Sequence, residues 1–245
     1  MQPTPRRPET PRMPPELSPR ARTGSPTLLL VPTALEERAL LAGGDLPAGL
    51  ALRELCGFGA VVAAARAARL AAELRPARVL LVGIAGTYDP RAHPPGEARE
   101  LSAVALDGIG AGEGEGLLGP AALGFAQWPG TAEGGARIGE RIELAAGPRS
   151  AGLLVSACAA SASAEEAERR RRRFPGAVAE DLEGFAVATA CQLAGIPLRI
   201  VRGLSNTCGE RDRARWRTGE ALAAARALVI EILETPWPSP WGERR

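Results

Sequence analysis

Short apolar runs alternate with helix-type spacing of apolar residues along most of the chain. The first run, Thr27–Val31, ends at Pro32, and Leu35, Leu40 and Leu41 follow it at helical spacing. The other predicted strands are Leu52–Cys56, Arg78–Gly83, Gly152–Ser156, Ala177–Glu180 and Leu198–Leu204. The other predicted helices are Ala60–Leu74, Ala164–Phe174, Phe185–Ala194 and Trp216–Leu233. This alternation predicts an α/β fold, a single domain whose central, mainly parallel sheet is flanked by helices.

Residues 94–138 interrupt the alternation. The segment is rich in glycine, and Leu101–Leu106 is its clearest apolar run. We expect antiparallel strands and substrate-covering loops there, so that the sheet is mixed. The predicted buried strand Arg78–Gly83 leads into Ile84–Thr87. The small residues of Ile84–Thr87 predict a turn in which the backbone approaches a ligand.

Domain boundaries follow from composition. Residues 1–25 are rich in proline and arginine, and proline denies the chain regular hydrogen bonds. We expect a disordered leader over 1–25, one domain over 26–235 and a C-terminal tail over 236–245.

Composition and charge exclude several classes of function. The chain has 245 residues, 45% of them hydrophobic, and a formal net charge of +2. So small a net charge argues against a nucleic-acid surface, and no apolar run is long enough to span a bilayer. The arginine run Arg169–Arg173 follows several glutamates, which is typical of a solvated helix face. We therefore expect a soluble protein that binds neither nucleic acid nor membrane.

Cysteine and histidine usage narrows the chemistry. The four cysteines are widely spaced, and no signal peptide suggests oxidation, so we expect reduced thiols in the cytoplasm. His93 is the only histidine, which argues against a histidine-based triad or a zinc site. No metal and no organic cofactor is indicated.

Candidate polar groups follow or end the predicted strands in four segments. These segments are Glu36 with Glu37, Ala85 with Gly86, Asp181–Gly184, and Ser205 with Asn206. Ligands of open α/β sheets bind at the carboxyl ends of the strands, so we expect these groups to meet in one site.

Five segments within residues 27–234 resemble the nucleoside phosphorylase superfamily, particularly its nucleosidase branch. They are Val31–Glu36, Gly57–Gly59, Val82–Gly86, Glu180–Ala186 and Val201–Asn206. The last two together are the specific part, because glycine turns occur wherever strands meet helices. The run Asn206–Trp216 is most similar to the futalosine hydrolases. The resemblance implies a nucleoside phosphorylase-like fold, a small-molecule purine nucleoside as partner and a homo-oligomer.

The resemblance also implies roles for two carboxylates. Breaking an N-glycosidic bond develops positive charge on the ribose and negative charge on the departing base. Glu183 would accept hydrogen bonds from the ribose hydroxyls and stabilise the cationic ribose. Glu36 would act as general base for the attacking water, with Glu37 as the alternative.

Asn206 would distinguish the base. Adenine-specific relatives carry an aspartate at this position, which can protonate ring nitrogen 7 of the purine. Asparagine cannot act as an acid, but its amide can donate to ring nitrogen 7 or to a 6-oxo oxygen, which favours hypoxanthine. The alternative structural role for Asn206 is a turn cap.

Five further residues are expected to bind substrate. Ala85 and Gly86 would offer backbone contacts, Leu182 would pack under the ribose, and Asp181 and Ser205 would complete the pocket. For Asp181 a helix cap or a surface charge is the alternative, and for Ala85 with Gly86 it is a plain turn.

Some positions depart from the family or leave alternatives open. Ala160 stands where adenine-type nucleosidases often place an aromatic ring, so base stacking would need Phe125 or Trp128. For Phe125 we expect core packing instead. Arg202 and Arg211 would either neutralise a carboxylate on the substrate tail or form ion pairs within the fold.

The resemblance thus predicts futalosine hydrolysis, which releases hypoxanthine in menaquinone biosynthesis. Within the same fold, the alternatives are a methylthioadenosine/adenosylhomocysteine or inosine-type nucleosidase, or a phosphorylase. Phosphorolysis requires a cationic pocket, and neither Gly57–Gly59 nor Ile84–Thr87 offers a cation. A non-catalytic nucleoside sensor is the alternative from another class.

Overall fold

The computed structural model of the chain describes residues 26–46, 51–131, 135–145, 147–235 and 237. These residues form one mixed sheet of nine strands with helices on both faces, which confirms the predicted fold class. The predicted leader lies outside the described residues, and so does the predicted tail apart from Trp237. Among the described helices, none combines the length and the hydropathy that spanning a bilayer requires.

The sheet is mainly parallel. Its strands are β1 Thr27–Val31, β2 Ala51–Leu55, β3 Arg78–Thr87, β4 Ala98–Leu101, β5 Ala103–Asp107, β6 Arg141–Glu143, β7 Leu153–Ala157, β8 Ala177–Asp181 and β9 Leu198–Thr207. The strand order is β2-β1-β3-β8-β7-β5-β6, and β9 pairs with both β3 and β4. The pairs β3/β8, β4/β9 and β5/β6 are antiparallel, and the other pairs are parallel.

Five α-helices cover the sheet in the described part of the chain. They are α1 Ala34–Leu40, α2 Ala60–Leu74, α3 Ala164–Arg173, α4 Gly184–Ala194 and α5 Thr218–Glu234. Helices α2 and α4 pack together over one face and share its core with β1, β3 and β9. Helices α1 and α5 cover another part of the sheet, where Leu29, Val82 and Val229 are buried together. Helices α2 and α5 therefore each bury one apolar side, as their spacing predicts, whereas α4 is buried on most sides and α3 buries only Ala167.

Two strands are longer than the sequence predicts. The predicted turn Ile84–Thr87 is wrong, because β3 continues as a strand to Thr87. Strand β9 likewise continues from Leu204 to Thr207. The two extensions pair with each other, and the ladder between β3 and β9 passes through a bulge after Ala85. The candidate backbone contacts therefore lie on rigid strand ends rather than in a turn.

The glycine-rich segment has the antiparallel pairing that we expect but also one parallel pairing, and its substrate-covering loops stay a prediction. Strand β4 is antiparallel to β9, whereas β5 is parallel to β7 and antiparallel to β6. The apolar run Leu101–Leu106 is divided between β4 and β5 at Ser102, because the chain there changes partner strand.

Candidate active site

Glu36 is buried at the start of α1, where its carboxylate is held from two sides. Thr33 caps the helix: its hydroxyl accepts from the Glu36 N–H at 3.2 Å and donates to Glu36 Oε2 at 2.6 Å. The Ile84 N–H donates to Glu36 Oε1 at 3.0 Å. The carboxylate is thereby turned inward against β3.

Glu37 lies on the other side of the same helix. Its Oε1 accepts a hydrogen bond from Arg53 Nε at 2.6 Å in a partly exposed ion pair. Of the two candidate bases, only Glu36 is therefore in the same cluster as the other predicted site carboxylates.

Glu183 is buried between β8 and α4. Its Oε1 accepts from the Gly59 N–H at 2.9 Å, and its Oε2 lies 3.6 Å from Arg202 Nη2. Burial raises the pKa of Glu183 to about 7, and the nearby Asp181 and Glu36 charges add to this rise, while Arg202 and the Gly59 N–H oppose it. A fraction of this carboxyl group is therefore protonated near neutral pH.

Arg202 lies beneath the carboxylates and is fully buried. Its Nε donates to Asp181 Oδ2 at 3.0 Å, and its Nη2 donates to the same oxygen. Of the two sequence-based roles for Arg202, ion pairing within the fold is the correct one. Among the described residues, Nη1 has no hydrogen-bond partner. One buried donor is thus left over beside the carboxylates.

Asp181 is neither a surface charge nor free. Besides Arg202 it accepts from the Ser156 hydroxyl at 2.5 Å and from the N–H of Gly184, the first residue of α4, at 2.9 Å. The expected substrate contact of Asp181 stays a prediction, but its two oxygens are already engaged. The geometry favours a role in positioning Arg202.

Gly83 leaves room for this cluster. A Cβ at Gly83 would overlap Arg202 Nη1 and stand 2.8 Å from Glu36 Oε1 and 3.0 Å from Pro32 Cδ. The free donor of Arg202 and the Glu36 carboxylate therefore face the same small space above β3. Only glycine fits there without displacing one of them.

Asn206 lies next to Gly86 across β9 and β3. Its Oδ1 accepts from the Ser205 hydroxyl at 2.7 Å, and its Nδ2 donates to the Thr207 carbonyl at 2.9 Å. The Ser205 hydroxyl also lies 3.3 Å from the Ala85 carbonyl. Since an amide nitrogen carries two hydrogens, one N–H of Asn206 remains for a ligand. The turn-cap alternative for Asn206 is wrong, because the residue lies within β9.

The structure gives the burial of Leu182 and of the two candidate stacking aromatics, while the expected packing of Leu182 under the ribose stays a prediction. Leu182 is half-buried between Asp181 and Glu183. Phe125 is 71% exposed, so the expected core packing is wrong; its loop crosses the surface instead of entering a core. Trp128 is 43% exposed, and neither aromatic contacts the carboxylate cluster through any described hydrogen bond or ring contact.

Two other kinds of chemistry find no support in the described residues. Cys56 lies at the end of β2, and burial raises the pKa of its thiol to about 12, which keeps it protonated. Among the described residues, no group of three or more His, Cys, Asp or Glu side chains is arranged to hold a metal ion.

A comparison with known protein families shows which family this chain belongs to. The family model of the phosphorylase superfamily matches residues 44–234. The chain belongs to the phosphorylase superfamily. A curated relative from Thermus thermophilus, named futalosine hydrolase, is 38% identical over 224 residues, which are 84% of this chain and 94% of the relative. Another of the same name, from Streptomyces coelicolor, is 37% identical over 154 residues, which are 63% of this chain and 64% of the relative.

A solved structure with the phosphorylase-superfamily fold is similar to this chain. The 5′-methylthioadenosine/S-adenosylhomocysteine nucleosidase from Colwellia psychrerythraea 34H, in complex with adenine, matches with a TM-score of 0.67. The match has 20% identity and covers 85% of this chain and 95% of that chain. At this identity the match shows the fold alone.

Two site features of this phosphorylase-superfamily chain do not follow from the sequence pattern. The pattern places Gly59 in a turn, but not its N–H against Glu183. It shows Arg202 as a cation, but not as the buried partner of two carboxylates. The strand Leu198–Leu204 carries two arginines, Arg199 and Arg202, among apolar residues, and this is a signal that could have identified Arg202, because a charge is rarely buried without a partner.

Proposed function

We propose that the chain hydrolyses futalosine at its N-glycosidic bond and releases hypoxanthine and dehypoxanthinyl futalosine, as a step in menaquinone biosynthesis. One observation carries the proposal: the buried carboxylates of Glu36 and Glu183 flank Arg202, whose unpartnered donor faces the same space as Glu36. The name of the two curated relatives supports futalosine as the substrate.

Glu183 acts on the ribose. As the bond from C1′ to ring nitrogen 9 breaks, positive charge develops on the sugar. An ionised Glu183 accepts hydrogen bonds from the ribose hydroxyls and stabilises that charge. The Gly59 N–H, at 2.9 Å from Oε1, keeps the carboxylate oriented before substrate arrives.

Glu36 acts on water. A water molecule between Glu36 and the free Nη1 of Arg202 gives its proton to Glu36 while its oxygen forms the new bond to C1′. The electron pair of the broken bond leaves with the base, which takes a proton from solvent. Arg202 positions the water, and Glu36 removes its proton.

Asn206 acts on the base. Its remaining Nδ2 hydrogen donates to ring nitrogen 7 or to the 6-oxo oxygen, which stabilises negative charge on the departing hypoxanthine. Because it has no acidic proton, Asn206 suits a 6-oxopurine better than an adenine, which is a poorer leaving group. Ala85, Gly86 and Ser205 form the backbone and hydroxyl surface beside it.

The rivals predict different products. An adenosine-type nucleosidase releases adenine from methylthioadenosine, a phosphorylase requires phosphate, and a sensor binds without turnover. We would follow base release from futalosine, inosine and methylthioadenosine, with and without phosphate, by chromatography. Hypoxanthine released from futalosine without phosphate is expected. Adenine release, phosphate dependence or binding without turnover would each support the corresponding rival.

We also infer that the chain is a homo-oligomer. Leu35, Phe58, Val61 and Val62 are 63%, 68%, 83% and 50% exposed, and they lie at the starts of α1 and α2 beside the two carboxylates. Exposed apolar side chains grouped in this way are typical of an interface, and closed homodimers are the commonest assembly. We expect a dimer in sedimentation analysis and dissociation in Val61→Glu. A monomeric wild type would contradict this assignment.

For the compartment we propose the cytoplasm. The cysteines at positions 56, 158, 191 and 208 are all free, which suits a reducing environment.

A further inference from the structure

The side-chain amide of Asn206 is held between two neighbours on its own strand, β9. Its Nδ2 donates to the Thr207 carbonyl at 2.9 Å, and its Oδ1 accepts from the Ser205 hydroxyl at 2.7 Å. Ser205 is 1% exposed and Asn206 is 7% exposed, so water competes little for these two bonds. Both ends of the amide are therefore engaged before any base binds.

The Thr207 carbonyl determines which way this amide is turned. A carbonyl oxygen can only accept a hydrogen bond, so the atom of Asn206 that faces it must be the nitrogen. The reversed amide would place Oδ1 against the Thr207 oxygen, and two acceptors would then face each other. The amide of Asn206 therefore has one favourable orientation.

The Ser205 hydroxyl holds that orientation from the other end. A hydroxyl has one hydrogen, and the two acceptors within reach are Asn206 Oδ1 at 2.7 Å and the Ala85 carbonyl at 3.3 Å. The shorter contact is the stronger bond, so the hydrogen points to Asn206. The one donor of the Ser205 side chain is thus committed to Asn206.

The second hydrogen on Nδ2 of Asn206 is left for a ligand. Within the described part of the chain, the Thr207 carbonyl is the one acceptor that Nδ2 reaches. Gly86, on the neighbouring strand, has no side chain to cover this nitrogen, and a Cβ there would stand 3.5 Å from it. Asn206 therefore presents a donor, and no acceptor, to whatever binds beside it.

We infer that Ser205 is a positioning residue that sets the base specificity by fixing the amide of Asn206. This inference rests on the proposed function, in which Asn206 contacts the base. Ring nitrogen 7 and the 6-oxo oxygen of hypoxanthine are both acceptors, whereas the 6-amino group of adenine is a donor and would face the Asn206 N–H. Ser205 thus acts through Asn206, whereas the sequence suggests a direct contact with substrate.

Removing the Ser205 hydroxyl should weaken the discrimination between the two bases. In Ser205→Ala, Oδ1 of Asn206 loses its donor, and only the Thr207 carbonyl still opposes rotation of the amide. A rotated amide can accept from the 6-amino group of adenine. We expect wild type to bind hypoxanthine roughly tenfold more tightly than adenine, and Ser205→Ala to reduce this preference to about threefold or less.

The test is calorimetric titration of hypoxanthine, adenine and unsubstituted purine into wild type and three variants. Purine has no group at position 6, so it reports on binding that does not involve this contact. Ser205→Thr keeps the hydroxyl and should keep the preference; Ser205→Ala decides alone if the added methyl group does not fit. Ser102→Ala is the control, because the Ser102 hydroxyl donates to the Gly152 carbonyl at 3.0 Å, away from Asn206, and its loss should leave the preference unchanged.

Three results would overturn the inference. They are a wild type that binds no base or does not prefer hypoxanthine, an unchanged preference in Ser205→Ala, and an equal loss of affinity for all three bases in that variant. The last result would mean that Ser205 only supports the fold. Failure of the proposed function looks different, since wild type would then release no hypoxanthine from futalosine, whatever its affinity for the free bases.

Discussion

The backbone N–H of Ile84 donates a 3.0 Å hydrogen bond to Oε1 of Glu36, which joins the first turn of α1 to the middle of β3. With the Thr33 hydroxyl on the other oxygen, this bond holds the carboxylate in place before any substrate binds. A carboxylate fixed in this way needs no reorganisation when it takes a proton from water.

Glu36 and its neighbour Glu37 provide a matched pair of variants. We expect Glu36→Gln to lower kcat for futalosine by about 10²- to 10⁴-fold, because it removes the general base with little change of shape. Glu37→Gln should stay within about twofold of wild type, since that residue only pairs with Arg53 at the surface. Steady-state kinetics of both variants test this; equal losses in the two would contradict the assignment of the base.

Gly83 should be intolerant of a single added methyl group. Gly83→Ala would force apart Arg202 and Glu36, which we expect to lower the free energy of unfolding by roughly 1–3 kcal/mol and to lower kcat strongly. Gly219→Ala is the control, because nothing lies within 4 Å of the position that its added methyl group would occupy, and the residue is in a helix. Urea unfolding and kinetics measure both effects, and wild-type behaviour of Gly83→Ala would show that the cluster tolerates displacement.

The strand and helix pattern could be predicted from the sequence, but the strand ends could not. Ile84–Thr87 has the small residues of a turn, yet it is held in β3 by pairing with β9 and β8, which lie far away in the chain. The periodicity of apolar residues indicates only which positions of a local segment are buried. Hydrogen-bonded pairing between strands that are distant in the chain leaves no local signal in the sequence.

The free-enzyme activity should depend on pH through Glu183. Burial raises its pKa from an ordinary 4.5 to about 7, and the proposed mechanism requires the ionised form. We expect kcat/KM for futalosine to rise about tenfold per pH unit below pH 7 and to level off above it. A profile that is flat between pH 5 and 8 would contradict the role of an ionised Glu183.

The same shift affects stability with a definite sign. Between pH 4.5 and about 7 the folded protein keeps a proton that the unfolded chain has released, so the stability contributed by this protonation is lost as pH rises. Denaturation of wild type and Glu183→Gln over this range measures the difference. The stability of wild type relative to the variant should fall by an amount of the order of 3 kcal/mol. A difference that rises with pH would mean that the pKa is lowered instead.

Asn206 should set the preference for the base. Inosine and adenosine differ only around position 6 of the purine. The ratio of kcat/KM for inosine to kcat/KM for adenosine therefore isolates the contact between Asn206 and this part of the base. Asn206→Asp should shift the ratio towards adenosine by roughly tenfold or more, because a carboxyl group can protonate ring nitrogen 7 and accept from a 6-amino group. An unchanged ratio would show that the base is selected by another residue.

The residues of the candidate site could be predicted more fully than the contacts that hold them in place. Glu36, Glu183 and Asn206 could be placed by resemblance, because their segments carry a family pattern. The contacts of Arg202 could not be predicted, because its partners come from a different part of the chain: Asp181 ends β8, and Glu183 follows that strand. A charged residue within an apolar strand does not indicate which residue it pairs with. The expectation for Phe125 is wrong because an aromatic among apolar residues usually enters a core, whereas its glycine-rich loop lies on the surface.

The nucleophile can be identified by running the reaction in water labelled with oxygen-18 and analysing both products by mass spectrometry. We expect one labelled oxygen at the anomeric carbon of dehypoxanthinyl futalosine, unlabelled hypoxanthine, and no dependence on phosphate. Label absent from the sugar product, or a sugar phosphate formed in its place, would contradict water as the nucleophile.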